Sequence, residues 1–275
     1  MYKSLIIIVI ICLQEYCTTA QPVYKQEDVT IFARFMQYAE AGNHDVSRLA
    51  SFFMDTPYVG GTLEGDSTER LRMNLRELDC FTFVENILAL HLLLNDTDKS
   101  FERFCSILER IRYRSGTLNG YLSRLHYTSE WLCDNEKKGI LSLPTLPASE
   151  TFSPMVSFMS THCDNYPALK ANPTWCARIL HIENEVNKLN LRYIPKESIT
   201  KKSGIRDGDV IAITTHIKGL DISHVGFALR KNGVIYLLHA SSEAKKVIVS
   251  SEPLSEYLAK RKNHSGVIVA RAREE

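Results

Sequence analysis

The sequence predicts an α+β fold, and three observations carry that prediction. Before about residue 195, apolar residues recur at three- and four-residue spacing, the period of helices packed on one face. From Gly208 onward they gather into short β-branched runs. Between two of those runs stands Lys231-Asn232-Gly233, a hairpin turn signal that makes the neighbouring strands antiparallel. Helices and strands segregated along the chain indicate α+β rather than alternating α/β.

Taken in order, the first stretch is a leader. Lys3 is basic, Leu5 to Leu13 is an uninterrupted apolar run, and Thr18-Thr19-Ala20 ends in small residues before Gln21. Residues 1–20 therefore read as a secretory signal peptide, too short to span a bilayer. Tyr16 is too bulky for a lipid attachment at Cys17. No later stretch suits a membrane span, so no stable membrane insertion is expected after cleavage. Residues 21–275 read as a single domain without repeat, low-complexity tract or linker. A formal net charge of +1 offers no bulk electrostatic basis for binding nucleic acid or an anionic membrane.

A helix is expected over Val29 to Ala41, where Ile31, Phe32, Phe35 and Tyr38 share a face and Gly42-Asn43 stops it. A second runs from Val46 to about Met54. Pro57-Tyr58-Val59-Gly60-Gly61-Thr62-Leu63 is a loop whose paired glycines permit close backbone approach. Asp79, a good cap, then opens a helix at Cys80, with Phe83, Ile87, Leu90 and Leu94 along one stripe. Ser100 to Tyr113 is a further amphipathic helix. Residues 112–131 are dense in Arg, Tyr, His and Trp with little periodicity. Such side chains suit a polar, ring-shaped ligand, with Arg124, His126, Tyr127 and Trp131 as candidate contacts; the alternative is a helix with a partly buried aromatic face. Leu141 to Pro173 is an irregular, proline-rich excursion. Asn172-Pro173 opens a helix through Trp175, Ile179, Ile182, Val186 and Leu189, ended by Pro195. Strands are expected over Val210 to Thr214, Val225 to Leu229, Val234 to His239, Lys246 to Ser250 and Gly266 to Ala272.

Seven cysteines less Cys12 and Cys17 of the leader leave five. An odd number in an exported protein implies a free thiol. If that is Cys80, then Cys105, Cys133, Cys163 and Cys176 either form two disulfides or stay reduced, Cys163 with Cys176 being the favoured pair. No spacing suits a structural zinc site, and no cofactor is expected.

Cys80 in the first turn of a buried helix is expected to have its thiol pKa lowered from about 8.5 towards neutrality. His224 begins one strand and His239 ends the next. They stand symmetrically about a turn centre at residues 231–232, which predicts that they face each other directly, about 4.5–5.5 Å apart. Cys80, His224 and His239 then form a nucleophile, base and orienter, with the Cys80 amide and a donor from Tyr58 for the oxyanion.

In that order, Pro57-Tyr58-Val59-Gly60-Gly61, Asp79-Cys80, Gly208-Asp209-Val210-Ile211, His224-Val225-Gly226 and His239-Ala240 resemble the NlpC-type, papain-like cell-wall cysteine peptidases. One departure narrows the resemblance. Where the wider group follows Asp-Cys with Ser-Gly, this chain has Phe81-Thr82-Phe83-Val84-Glu85. That version, with Gly61-Thr62-Leu63-Glu64, Arg124-Leu125-His126-Tyr127 and Gly219-Leu220-Asp221-Ile222-Ser223-His224, resembles the secreted bacterial N-acetylmuramoyl-L-alanine amidase-like family over nearly all of residues 50–272. The resemblance implies hydrolysis of the amide between N-acetylmuramic acid and L-alanine in peptidoglycan fragments, in the periplasm. It also adds Thr62 and Ser223 to the substrate contacts. The alternatives are cleavage of D-glutamyl–diamino acid bonds in the stem peptide, or a silent wall-fragment binding protein.

Overall fold

The computed structural model describes residues 21–65 and 68–273, so the expected leader lies outside the described residues. Helix α1 (Gln26–Glu40) buries Phe32, Phe35 and Ala39, and α2 (Val46–Ser51) ends before the expected Met54. The chain leaves α2 through Asp55 at φ 66°, which a continuing helix cannot contain. Helix α3 (Cys80–Leu94) is capped by Asp79, whose carboxylate accepts the Phe81 and Thr82 amides at 3.1 and 2.7 Å. The Thr82 hydroxyl takes the Asp79 amide at 3.0 Å in return. Here the structure widens the expected stripe. Helix α3 is buried on nearly every side, Glu85 and Asn86 included, so it is the central rod of the core.

Helix α4 (Phe101–Arg112) starts on the Ser100 hydroxyl, which accepts the Arg103 amide at 3.1 Å. The end of the aromatic and arginine-rich segment enters a helix, α5 (Thr128–Lys137), which buries Trp131 and so follows the alternative reading of that segment. The excursion holds two short strands, β1 (Leu141–Ser142) and β2 (Glu150–Phe152), and two short helices, α6 (Phe158–Thr161) and α7 (Pro167–Ala171). Helix α8 (Pro173–Val186) follows. Strand β3 (Leu191–Pro195) occupies a stretch expected only to terminate that helix.

The expected strands are β4 (Val210–Thr215), β5 (Ile222–Lys231), β6 (Val234–Ser241), β7 (Lys246–Pro253) and β8 (His264–Ala272), with helix α9 (Leu254–Ala259) between the last two. The sheet order is β2-β3-β8-β4-β5-β6-β7, with β1 also on β8, and every ladder is antiparallel. Alternation decides what each face meets. Val210, Ala212, Phe227, Leu238 and Ile268 pack against the helical core around α3. Ile211, Ile213, Leu237, Val267 and Val269 face the opposite way, onto Leu254 and Leu258 of α9.

A third apolar cluster joins Tyr121, Tyr127 and Met159 to Ile179 and Val186 of α8. A disulfide between Cys163 and Cys176 closes this insert with Cα atoms 6.2 Å apart. Cys105 and Cys133 stay free, so one bridge forms and the second does not. No helix among the described residues is long and apolar enough to cross a membrane.

Candidate active site

The site starts from two backbone pairings. The Leu78 amide donates to Pro57 O at 3.0 Å, and the Val59 amide to Leu78 O at 3.2 Å. That bridge sets Tyr58 beside Asp79 and Cys80. From the other side, the Val225 amide, next in chain to His224, donates to the Cys80 sulfur. The start of α3 and the start of β5 therefore meet at Cys80. Strand β5 is irregular there. Ile213 pairs with His224 and Thr214 with Ile222, leaving Ser223 as the extra residue of a bulge. Ser223 is exposed and its hydroxyl donates to Ile213 O at 3.4 Å, so the structure places it where it sets the aim of His224.

The two histidines meet, but not as direct cross-strand partners. The turn closes on Asn232 and Gly233, both at positive φ (50° and 78°), between the paired Lys231 and Val234. Continued along the ladder past Phe227 and Leu238, this register sets His239 opposite Gly226, diagonal to His224. Both side chains remain on one face, and His224 Nε2 lies 2.6 Å from His239 Nδ1 with the rings at 90°. The diagonal contact is possible because residue 226 is glycine. A Cβ there would fall 2.7 Å from Leu238 O and 2.9 Å from His239 Cβ. With Nε2 engaged, Nδ1 of His224 is left for a second partner.

The electrostatics reverse one expectation. The amides of Val225, Cys80 and Phe81 lower the thiol pKa, as a helix start should, but burial outweighs them. Burial, then the Asp79 carboxylate, push the Cys80 thiol up to about 12. Burial and the neighbouring His239 push His224 down to about 3. Burial and then Arg261 push His239 down to about 4. At rest the pair is a neutral thiol and a neutral imidazole. Tyr58 is raised by burial, then by Cys80 and Asp79, so its phenol stays an O–H donor.

Beside Asp79 and Phe81 opens a cavity of about 280 Å³, bordered also by Tyr121, His126 and Tyr166. His126 holds Tyr121 O at 3.0 Å through Nε2, which must donate to a carbonyl, leaving Nδ1 an acceptor. Burial pushes its pKa down to about 3, so it carries no charge. The remaining candidates are placed differently from expectation. Arg124 is buried and already bound to Glu64 at 2.7 Å and Glu69 at 3.4 Å, so its charge is committed inside the protein. Tyr127 borders the cavity, but its hydroxyl donates to Glu183 at 2.6 Å. Trp131 is 1% exposed and packs edge-on against Phe81, a core residue rather than a ligand contact. Thr62 lies just before Leu63 of the cavity wall, with its Oγ1 buried and without a hydrogen-bond partner.

The family model for N-acetylmuramoyl-L-alanine amidase-like proteins matches residues 48–267. The chain belongs to this family. Among solved structures, an N-acetylmuramoyl-L-alanine amidase from Bacteroides uniformis is 38% identical, with a TM-score of 0.79 over 84% of this chain and 100% of that one. A Bacteroides fragilis protein, provisionally named a xylanase, is 40% identical, with a TM-score of 0.75 over 81% and 98%. A Legionella pneumophila protein at 23% identity shares the fold, with a TM-score of 0.65 over 91% and 95%. A search of curated proteins finds no match.

In this amidase-like chain three residues near the histidines escaped the sequence reading. Tyr257 sets its ring edge-on to His239 at 5.6 Å and stacks on His264 at 6.0 Å. Arg261 lies 3.9 Å over the Tyr257 ring. The helix carrying Tyr257 is short, and nothing in the sequence ties it to His239. Gly226 did carry a signal, since a glycine inside a β-branched run marks close approach.

Proposed function

We propose that this protein is a cysteine amidase of NlpC-type, papain-like design that cleaves the bond between N-acetylmuramic acid and L-alanine in peptidoglycan fragments. The observation that carries this reading is the 2.6 Å contact of His224 with His239 beside Cys80 at the start of α3, in a chain of this family.

The muramoyl ring occupies the cavity beside Phe81, against the neutral acceptor of His126. On attack, the Cys80 proton passes to His224 Nδ1 and the sulfur adds to the lactyl carbonyl carbon. The imidazolium so formed donates from Nε2 to His239 Nδ1, which is free to accept because His239 is neutral. The Cys80 amide and the Tyr58 hydroxyl receive the oxyanion. Collapse expels the L-alanyl amine, which takes the proton from His224 and leaves a thioester on Cys80. Water, deprotonated by His224, releases the acid and restores the thiol. A resting neutral pair suits this order, since the proton moves as the carbon–sulfur bond forms.

The glycosidase reading attached to one relative finds no free carboxylate pair among the described residues that border the cavity beside Phe81. Asp79 caps α3, Glu64 holds Arg124, and Asp221 accepts the Ser129 and Ile222 amides at 2.7 and 2.8 Å. The apolar leader and near-neutral charge support action on soluble fragments in a bacterial periplasm.

The test is digestion of a defined muropeptide followed by mass spectrometry. The expected products are the free sugar acid and an intact stem peptide, absent with Cys80→Ala. A trimmed stem would show D-glutamyl–diamino acid cleavage instead. Activity retained in Cys80→Ala would overturn the mechanism.

A further inference from the structure

His239 is aimed by a hydrogen bond on one side only. Its Nδ1 faces His224 Nε2 at 2.6 Å, and its Nε2 makes no hydrogen bond to another described residue. A histidine that serves a partner through one nitrogen is ordinarily oriented by a hydrogen bond on the other. Among the described residues none supplies it, and an aromatic ring stands there instead. Tyr257 meets the His239 ring edge-to-face, with centroids 5.6 Å apart and planes at 76°. Tyr257 is itself buried and held from three elements. Leu254 and Leu258, both fully buried, seat its helix α9 on the sheet. The ring of His264, the first residue of β8, stacks on it at 6.0 Å and 25°. The Arg261 guanidinium lies 3.9 Å from its centroid and donates to Glu243, in the turn after β6, at 2.8 Å. The Tyr257 hydroxyl makes no hydrogen bond to another described residue, so the ring is the part in use. None of these residues borders the cavity beside Phe81.

We propose that Tyr257 is a positioning residue for the reaction: its ring fixes the plane of His239, so that Nδ1 stays the acceptor for His224 and the proton stays on Nε2. The proposal rests on the cysteine amidase reading, in which His239 accepts from the His224 imidazolium. A ring suits this task better than a carboxylate would. A carboxylate beside His239 would favour its charged form, which has no acceptor to offer. An aromatic ring orients by contact and adds no net charge. The Arg261 cation stacked on that ring works in the same direction, because it disfavours a second positive charge on His239. The charge formed during the reaction therefore stays on His224, next to Cys80.

The test has a spectroscopic arm and a kinetic arm. Nitrogen NMR of the imidazoles, assigned with His239→Gln, is expected to show His239 protonated on Nε2 in the resting wild type and in Tyr257→Phe, and a mixture of tautomers in Tyr257→Leu. On a defined muropeptide, Tyr257→Leu is expected to lower kcat on the order of 10–100-fold with KM little changed, and Tyr257→Phe to stay within about threefold of wild type. Leu254→Ala is the control for a purely structural loss: it opens a cavity under the same helix and lowers Tm, with kcat in the folded fraction within about threefold. A wild-type His239 protonated on Nδ1 would overturn the proposal without any variant. So would an unchanged tautomer or a near-wild-type kcat in Tyr257→Leu, or an equal kcat loss in Tyr257→Phe or Leu254→Ala. Failure of the wild type to cleave the muropeptide would overturn the amidase reading instead, and the tautomer comparison would still decide whether Tyr257 sets His239.

Discussion

Gly226→Ala is the sharpest perturbation of the proposed catalytic apparatus, because it adds one methyl group and removes nothing. The new carbon would sit 2.7 Å from Leu238 O, where ordinary contact begins at 3.4 Å, so something must move by about 0.7 Å. The obstacle on one side is main chain held in the β5–β6 ladder, and on the other the Cβ of His239 itself. Neither can swing aside as a flexible side-chain tip could. Overpacking of this kind costs about 1–3 kcal/mol, which lowers Tm by roughly 2–12 °C in a chain of this size. Displacing His239 by most of an ångström weakens its hold on His224, and misplacements of about 1 Å cost on the order of 100-fold in rate. The expected result on a defined muropeptide is therefore a kcat lowered on the order of 10–100-fold with KM little changed, since the cavity beside Phe81 is untouched. Gly266→Ala is the control. Its Cβ would fall 2.2 Å from Ile194 O in the β3–β8 pairing, so Tm should drop at least as far while kcat in the folded fraction stays within about threefold. Equal kcat losses in the two variants, or wild-type kcat in Gly226→Ala, would refute the claim that this glycine exists for the histidine pair.

Three further outcomes follow from the same contacts. Arg261 lowers the pKa of His239, so Arg261→Gln raises it; His239 then protonates at higher pH, stops accepting from His224, and the acid limb of the kcat profile moves upward, whereas an unmoved limb would exclude this role. Arg112→Met strands Glu85, which is fully buried and paired with Arg112 at 2.8 Å, and should cost about 3–5 kcal/mol in urea denaturation. Adding Glu85→Leu should recover most of that loss, and additive losses would show that the pair is not coupled. Cys176→Ser opens a loop whose ends are 13 residues apart, with an expected loss of about 3 kcal/mol that reductant should reproduce in the wild type; a Tm insensitive to reductant would count against the bond.

What was legible in the sequence was local. The Asp79 cap, the helix after Cys80 and the hairpin at Asn232-Gly233 each depend on residues a few positions apart. The diagonal placement of the histidines shows why a local rule can tolerate error. Moving the turn centre by one residue shifts the strand pairing by two, and a shift of two keeps every side chain on its own face. His224 and His239 therefore meet although they were expected in direct opposition. The thiol pKa went the other way because a helix terminus is local, whereas the burial that outweighs it comes from β5 and the loop at Tyr58.

The segment 112–131 was the least legible, and its partners explain why. Arg114 binds Glu130 16 residues on, Arg124 binds Glu64 60 residues back, and Tyr127 binds Glu183 56 residues ahead. A run dense in Arg, Tyr and His reads the same whether its charges face a ligand or one another. Here they face one another, and this changes what the groove can recognise. With Arg124 neutralised, His126 uncharged and Trp131 in the core, the cavity beside Phe81 keeps the rings of Tyr121 and Tyr166 on its wall and one imidazole acceptor. Those groups offer faces and hydrogen bonds but little free charge. On the proposed amidase reading, recognition in the cavity beside Phe81 therefore falls to the sugar rather than to the anionic stem peptide.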